Sequence, residues 1–461
     1  MNLATVILAA GQGKRMKSSK PKVLHPILGK PMLWYIIQVA NQVTQRKTIV
    51  VVGHKPDLIK ETFNESALFV PQKEQLGTGH AVLQTEPLLK GKVDFVLVTY
   101  GDMPLLRERT LWKLIDSKPN PSQPITMLTV FMDDPHGFGR IIRDDNGDVH
   151  AIVEEAQATQ KQREIKELNA GVYVFNAEWL WDALPKITLS PKGEYYLTDL
   201  IGIAIEQGKS IKAIPVEDTQ EVIGVNTRVH LAEVSSIIQA RINRKWMLDG
   251  VTITNPDSTT IEPTVSIGQD TTILPNTFLQ GDTRIGENCV IGPNSIVDNT
   301  KIGRNCIIRA SVLEGAILED NVDIGPFGHL RRGAHLAKGV HMGNFGEVKD
   351  SHLGEGTKMG HFSYIGNATI GKNVNIGAGT ITCNYDGKQK NPTEIGDDVF
   401  IGSDTMLVAP IKLGDGAHTG AGSVVTKDIA EYMLAVGIPA RAIRKINPEE
   451  KSSVKNEKKD G

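Results

Sequence analysis

A six-residue repeat of aliphatic side chains fills the C-terminal half of the chain and restricts its fold more than any other feature. Helices repeat about every 3.6 residues and strands about every 2, so neither explains this period. Six residues suit one flat side of a triangular coil, with the aliphatic residue inside and a glycine easing the corner, as at Ile267-Gly268 and Ile401-Gly402. We therefore predict a parallel β-helix of roughly nine or ten coils. The repeated positions are Ile261, Ile267, Ile273, Leu279, Ile285, Ile291 and Val297, then Ile324, Leu330, Leu336, Met342 and Val348, then Leu353, Met359 and Ile365, and finally Ile395, Ile401, Leu407, Leu413, Thr419 and Val425.

The first half of the chain has a different pattern, in which short apolar runs alternate with amphipathic segments. Strands are predicted at residues 5–9, 48–52, 94–99 and 125–131, and helices at residues 34–43, 79–89 and 110–115. This alternation predicts a mostly parallel sheet covered on both faces by helices, with ligands at the carboxyl ends of the strands. Residues 139–154 are predicted to form a hairpin that turns at Asn146-Gly147.

A segment free of proline and glycine joins the two halves. Leu231, Val234, Ile238, Ile242 and Trp246 recur there at helical spacing, so we predict one long helix. The predicted organisation is an α/β domain at residues 1–226, a linker helix at 227–250, a β-helix at 251–447 and a polar, disordered tail at 448–461.

Composition narrows the possible partners and the compartment. The net charge of −2 gives no basic surplus for binding nucleic acid or an anionic membrane. No apolar run approaches the roughly 18 residues that a membrane span needs, and the N-terminus has no signal-peptide layout. Cys289, Cys306 and Cys383 are scattered without metal-ligand spacing. These features predict a cytoplasmic protein that neither enters a membrane nor binds nucleic acid.

A glycine loop with two cations follows the first predicted strand. In the run from Leu8 to Met16, small residues let backbone N–H groups approach phosphate oxygens, and Arg15 and the later Lys22 can offset phosphate charge. The loop matches neither the dinucleotide fingerprint nor the P-loop of ATPases. Asp102 ends another predicted strand, at the same edge of the sheet, and a carboxylate in that position favours Mg²⁺ bound with phosphates.

These motifs resemble those of the sugar-1-phosphate nucleotidyltransferases. Together with the repeat and the run at residues 375–387, the chain is similar to the bacterial bifunctional N-acetylglucosamine-1-phosphate uridylyltransferase / glucosamine-1-phosphate N-acetyltransferase family from Leu3 to about Pro439. The resemblance implies a Rossmann-like nucleotidyltransferase domain, a long linker helix and a left-handed β-helix. It also implies acetylation of glucosamine 1-phosphate by acetyl-CoA, followed by transfer of UMP from UTP to N-acetylglucosamine 1-phosphate, which yields pyrophosphate and UDP-N-acetylglucosamine for bacterial envelope polymers.

The resemblance also assigns residues of the uridylyl-transfer site by matching motif positions. Lys22 and Arg15 would act on the phosphates, while Asp102 and Asn226 would bind Mg²⁺. The residues implied to bind the nucleotide sugar are Leu8, Ala9, Ala10, Gly11, Lys22, Gln72, Gly77, Thr78, Tyr100, Gly101, Asp102, Gly139, Glu154, Asn169 and Asn226.

The acetyl-transfer residues implied by the resemblance all lie in the repeat. His361 would be the general base, with Arg331, Lys349, Tyr364 and Asn375 around glucosamine 1-phosphate. The acetyl-CoA residues would be Ala378, Asn384, Tyr385, Ser403 and Ala421. Residues 383–394 interrupt the repeat, and such insertions often carry a binding function. Cys383 within this segment could suggest an acyl-enzyme nucleophile, but direct transfer needs no covalent step.

One position departs from the family pattern. Many members have an arginine two residues before a C-terminal proline, where this chain has Gly437 before Pro439, so Arg441 or Arg444 would have to contact coenzyme A instead. The family resemblance further implies a homotrimer.

Two other functions remain open from the sequence. The chain could be a nucleotidyltransferase that makes ADP-glucose or a dTDP-sugar and uses its β-helix only for assembly, or a non-catalytic regulatory subunit. His361 and the Asn384-Tyr385 loop argue against the first alternative, and Lys22, Asp102 and Asn226 argue against the second.

Overall fold

The computed structural model describes residues 2–135 and 137–447. The chain forms two compact units, and the division between them falls between Ile238 and Gln239. In the part of the chain that is described, no helix is long and apolar enough to cross a membrane. The tail predicted to be disordered, residues 448–461, lies outside the described residues.

The first unit contains one large sheet and most of the helices. Its helices are α1 (Met32–Val43), α2 (Pro56–Phe63), α3 (Thr78–Leu83), α4 (Glu86–Leu89), α5 (Glu108–Ile115), α6 (Gln160–Arg163), α7 (Ala177–Ala183), α8 (Asp199–Glu206) and the start of α9 (Arg228–Leu248). Its strands are β1 (Leu3–Ala9), β2 (Pro26–Ile27), β3 (Lys30–Pro31), β4 (Ile49–Val52), β5 (Leu68–Pro71), β6 (Phe95–Tyr100), β7 (Ile125–Phe131), β8 (Arg140–Arg143), β9 (Val149–Val153), β10 (Glu167–Asn176) and β11 (Ile211–Pro215).

The sheet of the first unit is mostly parallel, as predicted, but it is mixed because one strand of its main path runs in the opposite direction. Its order is β11-β7-β10-β6-β1-β4-β5, and β10 runs antiparallel to both of its neighbours. A parallel connection needs a crossover of about a dozen residues or more, usually a helix. The chain instead reaches β10 through the β8–β9 hairpin and the short α6. The hairpin itself turns at Asn146-Gly147 as predicted, with Gly147 in the left-handed region at φ 85°.

Helices cover both faces of this sheet, as predicted. Consecutive residues of β1 enter different cores: Val6 packs with Val98 on one face, and Ile7 packs with Leu97 on the other. The helix predicted at 79–89 is two short helices, because Pro87 lacks an N–H and is accommodated only in the first turn of a new helix, α4. The predicted linker helix is present as α9.

The second unit is a column with three faces, each a sheet of short strands, which confirms the predicted parallel β-helix. The first face contains Thr252–Ile253, Thr272–Ile273, Val290–Ile291, Ile307–Ile308, Asp323–Ile324, His341–Met342, Lys358–Met359, Asn375–Ile376, Phe400–Ile401, His418–Thr419, Met433–Gly437 and Ala440–Lys445. The second face contains Thr260–Ile261, Phe278–Gln280, Ile296–Asp298, Val312–Glu314, His329–Leu330, Gly346–Lys349, Ser363–Gly366, Ile381–Cys383, Met406–Val408 and Val424–Val425. The third face contains Ser266–Ile267, Arg284–Ile285, Lys301–Ile302, Ile317–Leu318, Ala334–Leu336, Ser351–Leu353, Ala368–Ile370, Thr393–Ile395 and Ile411–Leu413.

The register of these sheets explains where the sequence repeat breaks. Leu330 pairs with Val348, a coil of 18 residues, whereas Ile291 pairs with Ile308, a coil of 17. The shorter coils drop a corner residue, so the six-residue step fails there while the aliphatic side chains still stack inside. One longer coil connects Ile370 to Ile395 and carries the predicted insertion. Past the last coil, the strand Ala440–Lys445 pairs antiparallel with Met433–Gly437 and closes the column.

Corner glycines are required where two coils approach most closely. A Cβ atom on Gly343 would lie 1.9 Å from the carbonyl oxygen of Gly360 one coil away.

We expect Gly343→Ala to lower the free energy of unfolding by about 2 kcal/mol or more, since backbone cannot move aside as a side chain can. This loss would be measured from the urea-induced unfolding transition of the second unit. Gly360→Ala is the matched control, because a Cβ atom at Gly360 has open space. Equal stability of the two variants would contradict the prediction.

Candidate functional sites

The first site lies where β1 and β6 end side by side. Leu8 pairs with Tyr100 across these parallel strands, and the N–H of Gly101 donates to the carbonyl of Leu8 at 2.9 Å. The glycine loop after β1 and Asp102 after β6 therefore share one edge of the sheet. The N–H of Val225 donates to the carbonyl of Asp102 at 2.9 Å, which brings the segment carrying Asn226 to the same edge.

Two adjoining cavities open at this edge, and predicted residues line both. The smaller, of about 270 Å³, is lined by Leu8, Ala9, Ala10, Gly11, Lys22, Gln72, Gly77, Thr78, Tyr100 and Asp102. The larger, of about 700 Å³, shares Thr78, Tyr100 and Asp102 and adds Arg15, Gly139, Glu154, Asn169 and Asn226. Gly101 is buried behind this surface, where a Cβ atom would contact Ala9 and Val23 at 3.2 Å.

Four of the predicted side chains form one polar cluster where the cavities meet. The Lys22 ammonium donates to Asp102 Oδ2 at 2.5 Å and to Asn226 Oδ1 at 3.2 Å, and the Arg15 guanidinium donates to the same Asn226 oxygen at 2.9 Å. A carboxylate and an amide oxygen thus converge on one cation, and both are oxygen donors of the kind that Mg²⁺ prefers. Gly13 allows this packing, since a Cβ atom there would lie 2.6 Å from Lys22 Cβ.

Glu154 and Asn169 are two polar residues in the wall of the larger cavity. Burial raises the pKa of Glu154, and the nearby Asp199 charge raises it further, so its neutral form is favoured more than in an ordinary glutamate. Asn169 lies at an irregularity in the pairing of β10, where its side-chain oxygen accepts hydrogen bonds from the Gly171 N–H at 3.0 Å and the Tyr173 hydroxyl at 2.9 Å. Among the residues that the structure describes, the amide N–H groups of Asn169 make no hydrogen bond, and Asn169 lines the larger cavity.

The second site lies on the second face of the β-helix, where predicted residues form two groups. We define the first corner as the segments that join the first face to the second. His361, Ala378, Ser403 and Ala421 occupy this corner on successive coils, connected by backbone bonds such as Asp404 N to Ala378 O at 2.6 Å and Gly422 N to Ser403 O at 2.8 Å. His361, Ser403 and Ala421 are exposed. Within the described residues, the Ala378 N–H has no hydrogen-bond partner.

The other group lies toward the opposite edge of the second face. The Arg331 N–H donates to the carbonyl of Val348, which brings Arg331 beside Lys349, and both line a surface cavity of about 520 Å³. On the next coil, the Tyr364 hydroxyl reaches across Gly366: a Cβ atom added there would lie 2.4 Å from that hydroxyl and 2.8 Å from the Asn384 side-chain nitrogen. Arg331, Lys349, Tyr364 and Asn384 are therefore brought together.

A further cation joins this group. The Lys390 ammonium, followed by the Arg331 charge, lowers the pKa of Lys349, because like charges disfavour its protonated form. Arg331 also donates to Glu347 at 2.9 Å, and Lys349 lies 4.0 Å from Asp350. An anion such as phosphate that displaced these carboxylates would meet three clustered cations. Sequence reasoning had singled out the insertion that carries Lys390 but not this residue.

Asn375 lies apart from the cations, whereas Tyr385 pairs with Lys390 in an antiparallel bridge within the insertion. Asn375 belongs to the first face, where it pairs with Lys358 and Phe400, and it approaches the first corner instead. Tyr385 projects from the insertion and is 63% exposed. Arg441 and Arg444 are both exposed on the closing hairpin.

Comparison with known proteins matches different family models to the two units of the chain. A family model for the MobA-like NTP transferase domain matches residues 5–144, and one for the bacterial transferase hexapeptide (six repeats) matches residues 264–299, 282–313 and 392–427. The bifunctional protein GlmU of Caldanaerobacter subterraneus subsp. tengcongensis is 46% identical over 94% of this chain and 95% of its own length. GlmU of Geobacillus sp. is 45% identical over 98% of both chains, and GlmU of Acinetobacter baumannii is 45% identical over 94% of this chain and 96% of its own.

The chain belongs to the GlmU family.

Membership in the GlmU family makes the chain a bifunctional enzyme, a nucleotidyltransferase joined to a hexapeptide acyltransferase, that makes UDP-N-acetylglucosamine. The predicted resemblance, fold class and enzyme class are confirmed. Both alternatives raised by the sequence, a transferase that makes another sugar nucleotide and a regulatory subunit, are thereby set aside.

Some residues that line the first site of this GlmU-family chain were missed by sequence reasoning. Gln75, Glu194 and Tyr196 line the smaller cavity, and Tyr196 lines the larger one as well. The available signal was the run Gly193-Glu-Tyr-Tyr-Leu-Thr-Asp199, where two tyrosines lie in a polar loop. The loop contributes because the Tyr195 N–H donates to the Leu76 carbonyl at 2.8 Å and the Gly79 N–H donates to the Tyr195 carbonyl at 2.8 Å.

Proposed function

We propose that the first site binds UTP in its smaller cavity and N-acetylglucosamine 1-phosphate in its larger one. The shared wall at Thr78, Tyr100 and Asp102 supports this arrangement, since two ligands bound there would meet at the polar cluster. Gln72, Gly77 and Thr78 would surround the uracil. Tyr100, Gly101, Gly139, Glu154 and Asn169 would hold the sugar. We keep residues 1–226, 227–250 and 251–447 as the uridylyltransferase domain, the linker helix and the acetyltransferase domain.

In the proposed reaction, a phosphate oxygen of the sugar phosphate attacks the α-phosphorus of UTP, and the bond to pyrophosphate breaks. The nucleophile is already an anion, so no general base is required. The task of the protein is to hold two polyanions together against their repulsion, and Lys22 and Arg15 supply positive charge at the cluster. Asp102 and Asn226 would hold Mg²⁺, which would offset further phosphate charge.

The second site would acetylate glucosamine 1-phosphate. Arg331 and Lys349 would bind its phosphate, with Tyr364 and Asn375 on the sugar. The amine must be neutral to attack the thioester carbon, and His361 would accept the proton that the amine releases. The Ala378 N–H, which has no partner among the described residues, would stabilise the oxyanion before the thiolate leaves and is protonated. Acetyl-CoA would lie along Ala378, Asn384, Tyr385, Ser403 and Ala421, with Arg441 or Arg444 near its phosphates.

We further propose a homotrimer whose subunits contact one another at the first corner. Phe327 and Phe345 lie there on adjacent coils, stacked with ring centroids 5.1 Å apart, and both are more than half exposed. Their φ angles of 64° and 57° are in the left-handed region, which costs a bulky residue about 1–3 kcal/mol. Phe362 continues the row one coil further and adjoins His361. Aromatic rings that are exposed despite this conformational cost are consistent with a surface that contacts a second copy of the chain.

We also propose a cytoplasmic location. UTP and acetyl-CoA are available in the cytoplasm, and Cys289, Cys306 and Cys383 are free thiols, which suits a reducing compartment.

Asp102→Asn tests the first reaction. The variant keeps the side-chain shape but removes the charge opposite Lys22, so pyrophosphate release from UTP, Mg²⁺ and N-acetylglucosamine 1-phosphate should fall about a hundredfold or more. Thiol release from acetyl-CoA and glucosamine 1-phosphate should be unchanged in the same preparation. Asp116→Asn, at an exposed position after α5, is the control. A wild-type rate of pyrophosphate release from Asp102→Asn would refute the role of this carboxylate.

His361→Asn tests the second reaction. Losing the proton acceptor should lower thiol release by about 10² to 10⁴, the usual contribution of general base catalysis. Pyrophosphate release with supplied N-acetylglucosamine 1-phosphate should stay at the wild-type rate. His341→Asn removes another histidine of the β-helix, one that is bound to Asp323, and should change neither rate. Normal acetylation by His361→Asn would rule out this imidazole as the base.

Phe345→Glu tests the assembly. A carboxylate within the aromatic row should be unfavourable at a subunit contact, so sedimentation should show the mass of one chain, and acetylation should fall at least tenfold. Phe131→Glu, at a comparably exposed position of the first unit, should leave the trimer intact. A trimer mass for Phe345→Glu would show that the subunits contact one another elsewhere.

A further inference from the structure

Gln72 lies in the wall of the smaller cavity, at the end where the proposed function puts the uracil. Its side chain is 3% exposed, and its amide nitrogen donates to the carbonyl oxygen of Gly77 at 3.0 Å. The same nitrogen lies 3.0 Å from Nδ1 of His80. An amide nitrogen carries two hydrogens, so these two contacts use both of them. Within the described residues, the Gln72 side-chain oxygen accepts no hydrogen bond and remains available to the cavity.

The orientation of this amide depends on which groups surround its nitrogen. The Gly77 carbonyl oxygen can only accept a hydrogen bond, so the nitrogen of the Gln72 amide, and not its oxygen, must face it. His80 Nδ1 must then accept as well, so the neutral imidazole carries its proton on Nε2. Gln84 lies on the other side of the ring, with its side-chain nitrogen 3.1 Å from His80 Nε2. The same Gln84 nitrogen donates to the backbone carbonyl of His80 at 3.1 Å. Gln84 is partly exposed, so water can replace that bond when its side-chain oxygen turns toward the Nε2 proton, whereas the side chain of Gln72 is buried.

We infer that His80 is a specificity-determining residue that fixes the Gln72 amide with its oxygen toward the nucleobase. This inference rests on the proposed binding of UTP in the smaller cavity. An oxygen held there accepts from a ring N–H, which uracil has at N3. Cytosine has an unprotonated N3 at the equivalent atom, so two acceptors would face each other. Rotation of Gln72 would relieve that repulsion but would break the bonds to Gly77 and His80. It would also turn the Gln72 oxygen toward the Gly77 carbonyl, so that two acceptors would face each other there instead.

His80 does not line the smaller cavity, so it acts through Gln72 and not on the substrate. Its ring is held in place by α3 and lies 6.5 Å, centroid to centroid, from that of Tyr195. A residue with this indirect role should affect the choice between bases more than the rate with the correct base.

The test compares UTP with CTP in three proteins: the wild type, His80→Leu and His80→Asn. Leucine has a similar size but no acceptor, so Gln72 can rotate more easily, and the ratio of kcat/KM for UTP to that for CTP should fall about tenfold or more. The side-chain oxygen of asparagine can occupy the position of Nδ1, so His80→Asn should restore most of the ratio. Kinetics would be measured as pyrophosphate release with N-acetylglucosamine 1-phosphate and Mg²⁺.

The outcomes separate this inference from the proposed function. A wild type that favours UTP, with a His80→Leu variant that keeps the ratio within twofold, would overturn the role of His80 while leaving the uridylyl-transfer site intact. Equal losses of the ratio in His80→Leu and His80→Asn would show that packing, and not the acceptor, is responsible. A wild type without UTP-dependent pyrophosphate release would instead remove the proposed function itself.

Discussion

Inward packing of one aliphatic side chain per strand determines the position of every other residue in the second unit. Leu330, Met342 and Val348 are fully buried, and each stacks on its equivalents in the coils above and below. Because the backbone of each coil bonds to the next, an outward residue has no freedom to move along the column. The location of a functional side chain then follows from two things: its position within the coil, and the position of that coil along the column. His361 and Ala378 share a corner for this reason alone.

The first unit positions its site in another way. The ends of β1 and β6 fix two short loops side by side, and the bond from Val225 to Asp102 brings in a third segment from far along the chain. Each loop contributes one or two polar groups, and none would form a site by itself. One ion pair and two hydrogen bonds to an amide oxygen then set the details: Lys22 contacts both Asp102 and Asn226, and Arg15 shares the Asn226 oxygen. With two cations and one carboxylate, the four side chains carry a net positive charge, which suits a polyanionic ligand.

Periodicity made the architecture predictable, because a six-residue step has few other physical explanations. The exact coil lengths were not predictable, since a coil of 17 residues and one of 18 differ only by a corner residue that leaves the core unchanged. The antiparallel β10 was missed for a related reason: a buried strand has the same apolar sequence in either direction. Motif matching identified Gln72 but not His80, whose importance appears only when the hydrogen bonds of one buried amide are counted. Lys390 likewise gains significance only from its closeness to Lys349.

Rigidity also determines where the second unit can carry chemistry. A column that repeats regularly presents the same surface on each coil, so a site requires departures from the repeat. Phe327 and Phe345 at positive φ, the long coil between Ile370 and Ile395, and the glycine beneath Tyr364 are three such departures, and all of them border the second face. Each costs stability that the plain repeat would keep, through strain, loop entropy or lost side-chain contacts. Their position beside one face of the column is the physical argument for the proposed acetyl-transfer site on that face.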